Sequence, residues 1–147
     1  MEKSVDNIIF NSISETMKPN EVSSRYSPLA LAYIGDSVYD LLVKRYFVMK
    51  SNMQTEKYHK KVSSIVSANS QAEFIDGYME NLTEDELAVF KRARNSSPHT
   101  KAKNASLQNY LKATGFEALV GYLYLKGDME RLQWIVNLIL NMPDAEE

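Results

Sequence analysis

An all-α fold is what this sequence predicts, on three observations. Apolar residues recur at helical spacing through most of the 147 residues; Val62, Ile65, Val66, Ala72 and Ile75, for example, support one buried stripe. Glycine and proline are few, five and four, which disfavours a loop-rich β architecture. The apolar stretches are also bounded by helix signals such as Ser27-Pro28, a capping-box pattern at 83–86, and Gly127-Asp128. The expectation is a compact bundle of six or seven helices.

Residues 1–25 read as a polar lead-in around a short amphipathic stretch (Val5, Ile8, Ile9, Ile13, Met17) that ends near Pro19-Asn20. Ser27 is a candidate N-cap with Pro28 at the first helical position, opening a strongly apolar helix to about Met49. After a break at Ser51-Asn52, one helix is expected from about Thr55 to Tyr78. Another runs from Thr83 to about Arg94, followed by a polar loop through Pro98 to Lys103. A further helix covers about Asn104 to Lys126, with a break expected near Thr114-Gly115, and a last one reaches about Asn141. The single domain is placed at 26–141, with 142–147 as a tail, and no repeat or low-complexity segment is visible.

Composition excludes several function classes. No cysteine is present, which removes disulfides and thiolate metal sites. Two histidines, His59 and His99, make a histidine-built zinc site a poor fit. No apolar run approaches the roughly 18 residues needed to span a bilayer, and the first ten residues lack a signal-peptide pattern. A cytoplasmic protein without membrane contact is expected. The net charge of −2 hides an asymmetry: residues 87–116 contain no acid, but carry Lys91, Arg92, Arg94, Lys101, Lys103 and Lys112. The rest of the chain holds 11 basic and 19 acidic residues. Such a segment suits a phosphate backbone, and it also suits a solvated basic loop.

Two acids stand in apolar helical surroundings. Asp36 lies seven residues after Leu29 and seven before Val43, with Tyr33 and Tyr39 flanking the same face, so it is not expected on a solvated stripe. Gly35 beside it costs about 1 kcal/mol of helix stability relative to alanine, a cost that makes sense where another backbone or a substrate approaches closely. Glu117 repeats the pattern, with Tyr110 and Tyr124 seven residues either side and Gly121 one turn on. Facing each other across a helix pair, the two carboxylates could hold a hard cation such as Mg²⁺. Each acid alone is also compatible with a salt bridge, Asp36 to Lys60 or Lys61 and Glu117 to an arginine.

These residues also carry a family resemblance. Tyr33-Ile34-Gly35-Asp36-Ser37-Val38 resembles the ribonuclease III signature, and Phe116-Glu117-Ala118-Leu119-Val120-Gly121 resembles that family's second motif. With the stretches 59–72, 91–95 and 103–104, in order and at matching spacing, residues 27–127 resemble the short Mini-ribonuclease III branch, which lacks a following double-stranded-RNA-binding domain. The resemblance implies an all-α catalytic domain working as a homodimer. It implies Mg²⁺-dependent cutting of double-stranded RNA, to 5′-phosphate and 3′-hydroxyl ends, on a ribosomal RNA precursor. Asp36 and Glu117 fall on the catalytic, metal-holding acids, and Tyr33 on an aromatic that packs into the partner protomer. Leu29, Ala32 and Thr114 stand where full-length relatives carry acids, so a site with fewer protein ligands is expected.

For the RNA, Lys91, Arg92, Arg94 and Asn95 end one helix, while Lys101, Lys103 and Asn104 begin the next. His59, Lys60 and Lys61 form a second cluster, with Ser67, Asn69 and Gln71 as further polar groups. A non-catalytic RNA-binding dimer or ribosome-assembly factor on the same scaffold, and a helical protein-interaction module, stay open as alternatives.

Overall fold

The structure, a computed structural model, describes residues 15–96 and 106–141. Within them lie seven α-helices, one short 3₁₀ turn and no strand. The first helix, α1 (Pro19–Arg25), starts where the amphipathic stretch was expected to end. Proline explains the difference: at the first helical position its missing N–H would have no partner anyway, and its φ is already helical. Val22 of α1 is fully buried, so this short helix joins the core.

α2 (Pro28–Lys50) is 23 residues, about 34 Å long at 1.5 Å per residue. Its start is as expected, with the Ala30 N–H donating to Ser27 Oγ at 3.1 Å. The expected long helix over 55–78 is instead two, α3 (Thr55–Val66) and α4 (Ala68–Tyr78). Ser67 breaks it: its backbone is extended (ψ 153°), and its hydroxyl accepts from the Ser70 N–H at 3.2 Å as the cap of α4. The Ser70 hydroxyl donates back to the Ser64 carbonyl at 2.6 Å, which fixes the corner. The 3₁₀ turn Met79–Asn81 leads to α5 (Glu84–Arg94), whose Thr83 and Glu86 form the capping box.

α6 (Leu107–Leu125) is the centre of the molecule, with ten of its 19 residues buried. It runs unbroken through Gly115, contrary to the expected break. A Cβ there would come within 2.7 Å of the Phe90 ring and 2.9 Å of the Phe90 carbonyl, so this glycine serves close packing of α5 on α6. At its end the Asp128 N–H donates to the Leu123 carbonyl (2.9 Å) and the Gly127 N–H to the Tyr124 carbonyl (3.0 Å). That bond pair defines a Schellman stop, and Gly127 takes the left-handed φ of 79° that it requires. α7 (Met129–Leu140) follows, capped by Asp128. α2, α4 and α5 pack around α6, and among the described residues no helix is long and apolar enough to cross a membrane.

Candidate active site

The crossing of α2 and α6 is set by two glycines. A Cβ on Gly35 would fall on the Glu117 carbonyl oxygen, and one on Gly121 would fall on the Leu31 carbonyl oxygen. The two backbones therefore touch, and no residue with a side chain fits at either position without spreading the helices. Asp36 follows the first glycine and Glu117 lies one turn before the second. The crossing consequently brings their carboxyl groups within hydrogen-bonding reach of each other. Phe116, beside Glu117, is held edge-on against Tyr39 (centroids 5.0 Å apart) and Phe74 (5.7 Å), which anchors this turn of α6.

The electrostatics follow from that proximity. Burial, then the hydrogen bond to Asp36 and the charge of Asp36, push the Glu117 carboxyl up to about 9. Among the described residues neither acid has an ion pair, so the salt bridges open to each acid alone are not formed. Asp40, one turn on, is tied to Lys44 at 2.9 Å. No further histidine, cysteine or acid joins the pair to make a cluster of three or more, among the described residues. Thr114, on the turn before Glu117, is buried, and its hydroxyl donates to the Tyr110 carbonyl at 3.0 Å.

The apolar surroundings of Asp36 in the sequence do not bury it. Asp36 is exposed in the single chain. It stands on the border of a face: Tyr39, 60° round the helix on one side, is 1% exposed, while Tyr33, 60° on the other, is 82% exposed. Leu29 is also exposed, at 44%, so the apolar neighbours that suggested burial belong partly to an uncovered surface.

The basic residues divide. Lys91 and Arg92 are exposed in the last turn of α5, whose Phe90 abuts Gly115, two residues before Glu117. Arg92 donates to the Ser23 carbonyl at 3.2 Å, Arg94 lies over the Phe90 ring and donates to the Asn95 side chain, and Asn95 caps the helix. Lys112, part of the acid-free segment, is paired with Asp76 at 3.0 Å. Lys101, Lys103 and Asn104 lie outside the described residues. His59, Lys60 and Lys61 are exposed on α3, with the Lys61 ammonium 5.9 Å from the centre of the Phe47 ring. The sequence did not reveal that Asn109, at the start of α6, donates to Asn69 of α4 at 3.0 Å, joining two helix N-termini.

Known proteins match this arrangement. The ribonuclease III domain model matches residues 29–128. The chain is 46% identical to the Mini-ribonuclease 3 of Clostridium tetani over 117 residues, 79% of this chain and 78% of that protein. It is 41% identical to the Mini-ribonuclease 3 of a Thermoanaerobacter species over 138 residues, covering 94% and 95%. A crystal structure of a Fusobacterium nucleatum protein superposes with a TM-score of 0.78 at 27% identity, over 82% of this chain and 98% of that one. With the two family motifs meeting at one helix crossing and the match spanning most of the fold, the chain belongs to the ribonuclease III family, in its Mini-ribonuclease 3 group, and is an endoribonuclease.

Proposed function

We propose that the enzyme cuts double-stranded RNA at a site where Asp36 and Glu117 are the protein's ligands to Mg²⁺. The observation that carries this is the acid pair itself, pressed together at a glycine crossing with no cationic side chain paired to either acid among the described residues. The donor set fits: two hard oxygen ligands whose repulsion a divalent cation offsets. At neutral pH and without metal Glu117 holds its proton, so loading the site releases it. When bound, Mg²⁺ supplies an activated water for in-line attack and charge at the leaving oxygen, leaving 5′-phosphate and 3′-hydroxyl ends. Two carboxylates leave more of the coordination sphere to water and RNA phosphate, so metal binding without RNA is weaker than at a four-carboxylate site.

A-form RNA is held mainly by its phosphates and minor-groove hydroxyls. Lys91, Arg92, Arg94, Asn95, Lys101, Lys103 and Asn104 are the proposed contacts beside Glu117, with His59, Lys60 and Lys61 as a second cluster. Leu29, Tyr33, Leu41 and Val48 of α2 are 44–82% exposed along one helix. An uncovered apolar stripe of this kind marks an interface, and we assign it to a homodimer. The natural substrate that fits the resemblance is a structured ribosomal RNA precursor, in the cytoplasm.

The test is long duplex RNA incubated with and without Mg²⁺, beside Asp36→Asn and Glu117→Gln variants. Metal-dependent cutting lost in both variants is expected. Binding without cutting by the parent chain would replace this reading with a non-catalytic RNA-binding dimer.

A further inference from the structure

The C-terminal half of α2 and α7 enclose a groove of about 690 Å³ whose lining includes neither acid of the pair. Leu42, Tyr46 and Met49 of α2 line one wall, and Leu132, Val136 and Leu140 of α7 the other. The lining runs from Met129 to Leu140, the two ends of α7, a length of about 18 Å. Met49 is 70% exposed and Met129 50%, so much of this apolar surface is uncovered. Both are unbranched thioethers that adapt to an incoming side chain. The rim is charged unevenly. Arg45 and Lys50 line the α2 side, both exposed, and no acid lines the groove among the described residues. The nearest acid on α2, Asp40, is paired with Lys44 at 2.9 Å. Exposed amides, Gln133 and Asn137, form the α7 side. Beyond them stands exposed Glu130, which shares the face of Asn137 seven residues on. Asp128, where α7 begins, is held by Lys126 at 3.8 Å and by the Arg131 N–H at 3.1 Å.

We propose that this groove docks an acidic amphipathic helix of another protein. Its length takes about three helical turns, and its apolar walls suit side chains spaced i, i+3, i+4 and i+7 on the incoming helix. Charge then sets the composition of the partner. Its flank facing α2 is acidic, to meet Arg45 and Lys50, and its flank facing α7 is neutral or basic, since Glu130 stands there. RNA suits the groove less, because unpaired bases stack on open aromatic faces. Tyr46 is the one aromatic in the lining, among the described residues. It is half-buried, with the Lys50 ammonium 5.5 Å from its ring centre and Phe47 edge-on at 5.0 Å. A second copy suits it less too: a two-fold contact centred here sets groove against groove and fills neither. α2 also carries Asp36, about 14 Å along the helix from Arg45, so a partner docked here is tied to the helix that holds the site.

The full chain is titrated at low salt with a synthetic three-turn helical peptide that carries leucines on one face, glutamates along one flank and glutamines along the other. A second peptide has lysines in place of the glutamates. Methyl NMR of the methionines reports where each one binds. The glutamate peptide is expected to shift the Met49 and Met129 signals and to bind about tenfold or more tightly than the lysine peptide. Arg45→Glu with Lys50→Glu is expected to invert that preference, which apolar adhesion alone would not do. Equal affinities for the two peptides, or binding that leaves both methyl signals in place, would overturn the proposal. So would a shift of the Met129 signal on concentrating the protein alone, which gives the groove to a second copy. The same shift on adding duplex RNA in chelator gives it to the substrate, and overturns the proposal as well.

Discussion

Glu117 is a residue whose position works against the stability of the fold. Its folded-state carboxyl titrates near 9 against an ordinary 4.5 because burial and Asp36 both oppose its charge. The linkage sign follows: folding favours the protonated form, so this contribution is complete below about pH 4.5 and is lost as pH rises towards 9. Metal-free Glu117→Gln should therefore melt higher than the parent at pH 8, by about 3 °C for each kcal/mol regained, and with a flatter dependence of Tm on pH. Thermal denaturation in chelator between pH 5 and 9 checks this. A variant that melts no higher and keeps the parent's pH slope would show that the acid pair carries no strain. Mg²⁺ should raise the parent's Tm more than the variant's, because only the parent has both ligands.

At the scale of elements, the site depends on how closely α2 and α6 approach. Gly35→Ala should cost about 2–3 kcal/mol of stability and at least about a hundredfold in RNA cleavage, because its methyl group meets the Glu117 carbonyl and moves the two acids apart. Gly77→Ala on α4 is the control. A Cβ there meets nothing within 4 Å, so that substitution should raise stability by about 0.5–1 kcal/mol and leave cleavage unchanged. Urea denaturation with initial rates on duplex RNA separates the two. A second junction joins α5 to α7: buried Glu86 accepts from Arg131 Nε and Arg131 Nη2, both at 2.8 Å. Burial pushes the Glu86 carboxyl up. The hydrogen bonds from Arg131 and the Thr83 backbone, with the Arg131 and Lys126 charges, outweigh it and hold the group below its usual range. That stability is present above about pH 4.5 and is lost as pH falls through the lowered folded value. Arg131→Met leaves a buried carboxylate unpaired and should cost about 3 kcal/mol at pH 7 by urea denaturation, with a smaller loss at pH 4. The capping box was legible from Thr83 and Glu86, but the arginine 45 residues further on was not, since nothing local pairs them.

For the whole molecule, the exposed stripe on α2 and the basic residues make separate predictions. Tyr33→Glu places a charge on the most exposed large apolar residue of α2 and should turn a dimer into a monomer by sedimentation velocity, with the helix content unchanged. Replacing Lys101 and Lys103 by alanine should flatten the dependence of duplex-RNA binding on salt, by about one unit of log-log slope for each phosphate no longer neutralised. An unchanged slope would remove that loop from the RNA surface. The acid-free run was readable from sequence, yet its charges are not equivalent in space. Among the described residues Lys112 is paired to Asp76, Arg92 is tied to Ser23 and Arg94 to Asn95, while Lys91 is exposed to solvent.

The sequence by itself determined the helical class, the caps at Ser27 and Thr83, the stop at Gly127 and the order of the two acid-bearing motifs. Each of these is a local matter of apolar period, side-chain capping or a required positive φ. It also marked Gly35 as a position where something must come close. Tertiary structure alone decided what came close. Gly121 meets the same crossing from the other helix, and Gly115 packs on Phe90 instead of breaking α6. It also put Asp36 on the exposed border of α2 rather than in its interior. Periodicity specifies which residues share a face of one helix, but only the packing of helices distant in the chain decides which face is covered, and by what.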